Sequence, residues 1–130
     1  MGSGSVVFIT SRSVKEPMAN LILSNSIRMA VVGLMKSLSI ELASTGIRFN
    51  AVAPGWTMTE RVTELLDARA RANGTTPEQE AASVVASIPL GRMGTPDEFA
   101  HATVFLASPA ASYIHGVTLM VDGGTTRASL

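Results

Sequence analysis

The chain has 130 residues, 46% of them hydrophobic and 15% charged, with ten basic and ten acidic side chains and no formal net charge. That balance excludes the strongly basic profile of a partner for nucleic acid or an anionic membrane, and the length points to one domain over residues 1–130. The sequence holds no cysteine, which excludes a disulfide framework, a thiolate metal site and a cysteine nucleophile.

Met1 is followed by "GSGS", a linker or a turn, and then by "VVFI". That start lacks the basic residues and the length of a secretory signal. Apolar runs such as "MAVVGLM" fall short of the roughly 20 residues of a membrane span. A cytoplasmic protein is expected. Residues 5–10, "SVVFIT", form a continuous apolar run rich in β-branched residues, read as a strand buried on both faces, as in a parallel sheet. A polar loop containing Pro17 follows. Residues 21–43 read as a long helix. Ile27, Val31, Leu34, Leu38 and Leu42 recur at spacings of three and four and form its apolar stripe. Met29, Val32, Met35 and Ile40 lie off that stripe, so this helix is expected to be covered on more than one side. Gly46 suits a helix C-terminal cap.

"IRFNAVAPG" reads as a second strand, stopped by Pro54-Gly55, and strand, helix and strand make a right-handed βαβ unit. Residues 57–73 read as an amphipathic helix. Two helix starts follow: Thr76 as cap with Pro77, Glu78 and Glu80, and Thr95 as cap with Pro96, Asp97 and Glu98. The second of these helices has a core stripe of Phe99, Ala102, Thr103 and Leu106. "GVTLMVDGG" is a third strand with a terminal turn at Asp122-Gly123-Gly124. The fold class is α/β, a parallel sheet of three strands with flanking helices. Its first strand has no earlier strand to pair with and presents an open apolar edge.

"VVFITS", "VVGLMKSLSIELASTGIRFNAVAPGWTMTE" and "IPLGRMGTPDEFAHATVFLASPAASYIHGVTLMVDGG", in that order, resemble the C-terminal half of the short-chain dehydrogenase/reductases, with the flavour of 3-oxoacyl-(acyl carrier protein) reductase-like members. The resemblance implies a partial Rossmann sheet, the doubly wound architecture that binds dinucleotides at strand C-terminal ends. It places the first strand of this sequence at the family's fifth. The glycine-rich turn that receives the pyrophosphate is then missing. "GSGS" is no substitute, because it precedes a strand rather than following one and opening a helix.

The resemblance implies hydride transfer between NAD or NADP and a carbonyl or alcohol. A serine holds the carbonyl oxygen, a tyrosine moves the proton, and a lysine four residues later assists it. Ser11, at the end of the first strand, matches the serine; the plain reading is a turn-forming residue. Anchoring on "VVGLMKSL" puts Ser24 at the tyrosine position and Arg28 at the lysine position. A serine hydroxyl is a far weaker acid than a phenol of pKa about 10, and arginine does not give up its proton. Arg28 could bind ribose hydroxyls or an anion; the plainer reading has it satisfy local polarity or pair with Glu16. Lys15 is a candidate replacement acid, or simply a solvated loop residue. The only tyrosine, Tyr113, is expected to pack with its hydroxyl satisfied.

By the same resemblance, Pro54 and Gly55 turn the chain toward the cofactor, the backbone at Thr57 meets the carboxamide and Thr59 meets the pyrophosphate. The plain alternative is a strand-to-helix turn with Thr57 or Thr59 as N-cap. Trp56 and Met58 belong to a wall or lid, and Asn50 satisfies backbone groups. His101 and His115 are isolated, so no metal site is expected; Met29, Met35, Met58 and Met93 read as core filler.

Three functions follow from the residues. One is a family member inactive by itself, binding NAD or NADP or neither. Another is half of a split oxidoreductase completed by a complementary N-terminal half. The last is a non-enzymatic oligomerisation or binding module. A homo-oligomer is expected in each, with residues 5–10 of two copies pairing antiparallel across a two-fold axis.

Overall fold

Ile47–Pro54 (β2) is the centre of the sheet, and its middle residues Phe49 to Ala53 are all buried in the computed structural model, which describes residues 3–129. Gly4–Ile9 (β1) flanks β2 on one side and Thr118–Val121 (β3) on the other, both parallel to it. The register sets Val6 against Phe49, Phe8 against Ala51 and Val52 against Leu119. The expected α/β class with a three-stranded parallel sheet is what the chain forms. Of the "GSGS" stretch, Gly2 lies outside the described residues, and Gly4 already belongs to β1.

Ile22–Glu41 (α1) crosses one face of the sheet and packs chiefly on β2. Met35, Phe49 and Ala51 form the core there, joined by Phe8, Val32, Leu38 and Ile47. The helix runs into a 3-10 turn, Ala43–Thr45, closed by Gly46 at φ 79°, the left-handed cap that its sequence position suggested. Pro96–Ala107 (α4) covers the opposite face, where Val52, Leu106 and Ala111 are buried with Val7, Phe99 and Leu119 around them.

Glu60–Asn73 (α2) and Pro77–Ala86 (α3) pack on each other rather than on the sheet, around Leu66, Val84, Ile88 and Met93. Their starts follow from local chemistry. Thr59 accepts from Val62 N–H and opens α2 at Glu60, three residues later than the expected start. Thr76 with Gln79 and Thr95 with Glu98 form reciprocal capping boxes at α3 and α4, each followed by proline.

Two packing expectations need correction. The stripe of α1 is not the face turned to the sheet. Ile27 is 62% and Leu34 52% exposed, while Met35 and Ser39 are buried. The helix is apolar on most of its circumference, so periodicity alone had no contrast from which to choose a face. Ser39 can be buried because its hydroxyl donates to Lys36 O at 2.7 Å. Secondly, β1 is not buried on both faces. Val6, on the face of Phe8, remains exposed because α1 lies over β2, and Ile9, on the opposite face with Ser5 and Val7, because β1 is an edge strand.

Candidate functional site

Parallel strands bring their C-terminal ends to one edge, and there the chain leaves β1 and β2 beside each other. Thr10 N–H and Thr10 Oγ1 both donate to Val52 O, at 2.8 and 3.2 Å. Ser11 follows in extended conformation and caps the single turn Arg12–Val14, its Oγ accepting from Ser13 N–H at 3.2 Å. The turn-forming role of Ser11 is therefore present, and its hydroxyl proton is still available to an acceptor.

The polar start of α1 is tied to this edge. Asn20, at φ 62°, turns the chain into the helix, a conformation asparagine tolerates better than most residues. Asn25 then holds the preceding loop by both ends of its amide, accepting from Met18 N–H at 3.4 Å and donating to Met18 O at 2.8 Å. One turn on, Arg28 Nη1 donates to Thr10 O at 2.8 Å. The expected alternative partner, Glu16, is engaged elsewhere: Oε1 accepts from Arg127 N–H at 2.7 Å and Ala128 N–H at 3.0 Å, and Arg12 lies 3.9 Å away. The correction has a simple cause, since Glu16 sits on the side of its loop that meets the C-terminal tail. Thr10 thus brings Ser11 and Arg28 together. Ser24, a turn before Arg28, is half-buried and makes no side-chain hydrogen bond among the described residues.

Beyond β2, Pro54, Gly55, Thr57 and Thr59 line one cleft of about 310 Å³, closed by Val62 and by Pro96 and Phe99 of α4. Gly55 is required there by close approach: a Cβ on it would lie 2.6 Å from Asp122 Cβ and 2.7 Å from Asp122 Cα. Thr57 forms an isolated parallel bridge with Gly94, in which Met58 N–H donates to Gly94 O and Gly94 N–H to Trp56 O, each at 2.9 Å. That pattern turns Thr57's own N–H and C=O away from Gly94, and no hydrogen bond uses either among the described residues. Thr59 is the N-cap of α2, so of the two capping alternatives it is Thr59 that serves.

A charged network backs the cleft. Arg92 grips Glu98 with both terminal nitrogens, Nη1 to Oε2 at 2.8 Å, and Thr95 N–H donates to Oε2 at 2.8 Å. The Arg92 hydrogen bonds, then that of the Thr95 backbone, hold the Glu98 carboxyl down at about 2. Burial alone would raise Asp122, yet hydrogen bonds from Thr126 and Gly124, with Arg12 nearby, hold it below the usual carboxylate range. Trp56 packs against the α2–α3 core with the Arg69 guanidinium 5.2 Å from its ring centroid, while Met58 is exposed.

Asn50 performs the backbone role expected of it, fully buried, donating to Ile114 O at 2.9 Å and accepting from Val117 N–H at 3.2 Å. Tyr113 does not pack: it is wholly exposed. It follows the short Pro109–Ala111 turn, and Ala111 rather than Tyr113 takes the buried place. Two positioning residues were missed from sequence. His115 joins α1 to β2, Nδ1 accepting from Phe49 N–H at 3.2 Å with Nε2 2.6 Å from Ser39 O. Arg48 donates to Leu106 O at 2.9 Å and Ser108 O at 3.0 Å, satisfying carbonyls at the end of α4. A basic residue in a strand and a histidine in a turn carry no local signal of such partners. His101 is exposed. Among the described residues no three His, Asp or Glu side chains gather as a metal set, and no helix is long and apolar enough to cross a membrane.

A family model described as enoyl-(acyl carrier protein) reductase matches residues 1–126. The 3alpha-hydroxysteroid dehydrogenase of Mediterraneibacter gnavus is 47% identical over 96 residues, covering 74% of this chain and 34% of that protein. The cis-4-hydroxycyclohexanecarboxylate dehydrogenase of Sinomonas cyclohexanicum is 38% identical over 125 residues, 96% of this chain and 46% of that protein. The structure of L-sorbose reductase from Gluconobacter frateurii, complexed with NADPH and L-sorbose, superposes with a TM-score of 0.91 at 27% identity, over 98% of this chain and 49% of that one. The chain spans about a third to a half of the length of these curated relatives.

Proposed function

Since the chain belongs to the short-chain dehydrogenase/reductase family, we propose that it supplies the nicotinamide-facing wall of an NAD- or NADP-dependent carbonyl or alcohol oxidoreductase in the cytoplasm, and that it is inactive alone. The observation that carries this reading is Thr57. Its unpaired N–H and C=O, side by side at the mouth of a cleft with no charged lining residue, match the acceptor and the donor of a primary carboxamide. The residues present therefore fit the nicotinamide end of the dinucleotide. Thr57 would hold the carboxamide through its backbone, Thr59 would offer its hydroxyl proton to a phosphate oxygen, and Pro54-Gly55 sets the close turn that leads from β2 to both. The bound dinucleotide supplies or accepts the hydride.

Ser11 donates its hydroxyl proton to a substrate oxygen at the β1 end. Arg28 holds the Thr10 carbonyl and with it the position of Ser11. Ser24 is a poor proton donor, so turnover needs an acid and a pyrophosphate cradle from a complementary N-terminal half.

Amide chemical shifts of the purified chain, titrated with nicotinamide mononucleotide and separately with ADP, test this reading. Shifts at Thr57 and Met58 are expected with the former alone, with no oxidation of NADH or NADPH by added ketones above background. Shifts confined to other elements, or ketone reduction by the chain unaided, would sink it.

A further inference from the structure

Gly94 meets the backbone around Thr57 with two peptide groups, and each is held from its far side by one member of an ion pair. The Met93–Gly94 peptide donates its N–H to Trp56 O at 2.9 Å, while its carbonyl accepts from Arg92 Nη1 at 3.2 Å. The carbonyl of the Gly94–Thr95 peptide accepts from Met58 N–H at 2.9 Å, while its N–H donates to Glu98 Oε2 at 2.8 Å. Arg92 and Glu98 are themselves joined through both guanidinium nitrogens, so one bidentate pair brackets Gly94. A Cβ at Gly94 would have Glu98 Oε2 and Trp56 O at 3.8 Å and Thr57 Oγ1 at 3.9 Å, which puts the carboxylate and Thr57 around the same small space. The pair is exposed, a setting in which ion pairs contribute little to stability.

We propose that Arg92 and Glu98 are positioning residues for the Thr57 backbone, setting the direction and strength of the N–H and C=O that Thr57 offers to a carboxamide; this rests on the nicotinamide reading of the cleft. A peptide group is planar, so fixing its carbonyl also fixes its N–H. On one side Arg92 donates to Met93 O, Gly94 N–H donates to Trp56 O, and the Trp56–Thr57 peptide ends in the Thr57 N–H. A cation heads this chain of donors. On the other side Glu98 accepts from Thr95 N–H, Gly94 O accepts from Met58 N–H, and the Thr57–Met58 peptide ends in the Thr57 C=O. An anion heads this chain of acceptors. Hydrogen bonds in series strengthen one another by about 10–30% per bond, so the cation sharpens the donor and the anion sharpens the acceptor. A pair of opposite sense would weaken both. Neither side chain lines the cleft of Thr57 and Thr59, and both act through Gly94.

The test is amide hydrogen exchange at Met58 and Gly94, with a nicotinamide mononucleotide titration followed at the Thr57 and Met58 amide shifts. Wild type is compared with Arg92→Ala, Arg92→Lys and Glu98→Gln. Arg61→Ala, which breaks the exposed Arg61–Glu64 pair of α2, controls for loss of a surface ion pair. Exchange should quicken by about tenfold or more in Arg92→Ala, and by less in Arg92→Lys, which keeps the charge on a single nitrogen. The β2 amides should exchange as in wild type. The mononucleotide dissociation constant should rise by about threefold or more in Arg92→Ala and Glu98→Gln, and Arg61→Ala should move neither reading. If Arg92→Ala fails to fold, Arg92→Lys decides. Wild-type exchange at Met58 and Gly94 in the folded Arg92 variants overturns the proposal. So does an unchanged dissociation constant in variants of a wild type that responds, or an equal loss in Arg61→Ala. A wild-type chain whose Thr57 gives no response to the mononucleotide sinks the nicotinamide reading instead, and exchange alone then decides whether the pair sets the Thr57 backbone.

Discussion

Arg28 reaches from the second turn of α1 to the carbonyl of Thr10 at 2.8 Å, tying the helix to the last residue before Ser11. Here a guanidinium does structural work, holding a strand end in place.

Replacement of Arg28 by alanine leaves the Thr10 carbonyl without its charged donor. A hydrogen bond from an ionised group contributes about 1.5–3 kcal/mol, and this one is only partly buried, so a loss of about 1–2 kcal/mol is expected. Chemical denaturation of Arg28→Ala and Arg28→Lys measures it. The lysine variant should recover part of the loss, and a pair of unchanged denaturation midpoints would argue that the bond contributes nothing.

Gly55→Ala should be among the more damaging single-methyl changes in the chain. The new Cβ would meet main-chain and Cβ atoms of Asp122 at 2.6–2.7 Å, and neither belongs to a flexible tip. Overpacking of this kind costs about 1–3 kcal/mol, and relief by separation of the β2 and β3 ends would widen the cleft lined by Thr57 and Thr59. Thermal melts give the cost, and the amide shift of Thr57 reports the widening.

Asn50→Leu keeps the branched shape and the number of heavy atoms and removes both polar ends. Val117 N–H would then lose its partner inside the fold, and Ile114 O would keep only the long 3.4 Å bond from Arg48. Unsatisfied buried groups cost about 1–3 kcal/mol each, so destabilisation should exceed that of Thr103→Val, which removes one local bond to Phe99 O on α4. Urea denaturation of both variants ranks them, and equal midpoints would contradict the argument.

Glu98 gives the pH dependence a sign. Its folded value of about 2 lies below the ordinary 4.5, so the unfolded chain binds its proton first as the solution is acidified. The stabilisation is fully present above pH 4.5 and is lost as pH falls toward about 2. Glu98→Gln retains an acceptor for Thr95 N–H without the charge. Wild-type and variant melting temperatures should therefore converge across that window, and a constant gap between them would exclude this origin.

The helix starts were readable because their causes are local: Thr76 and Thr95 bond to amides three residues away and each precedes a proline. Gly46 was readable because a left-handed cap tolerates few other residues. The sheet-facing side of α1 was not. Met35, Ser39 and Arg28 share it with apolar neighbours on both flanks, and the acceptors that make Arg28 and Ser39 acceptable there lie on Thr10 and Lys36. Tyr113 read as a packing residue because nothing nearby shows that Ala111 fills that place first. At the cleft, the family pattern pointed to Thr57 and Thr59. The reason Thr57 keeps an open amide and carbonyl lies in its bridge to Gly94, which no local pattern reveals.

The paired backbone bonds among Trp56, Met58 and Gly94 fasten the entry and the exit of the α2–α3 excursion at a single point, and that excursion has a core of its own. It is in effect an exchangeable cassette. Its helices can be lengthened, shortened or recut while the strands beneath keep their alignment.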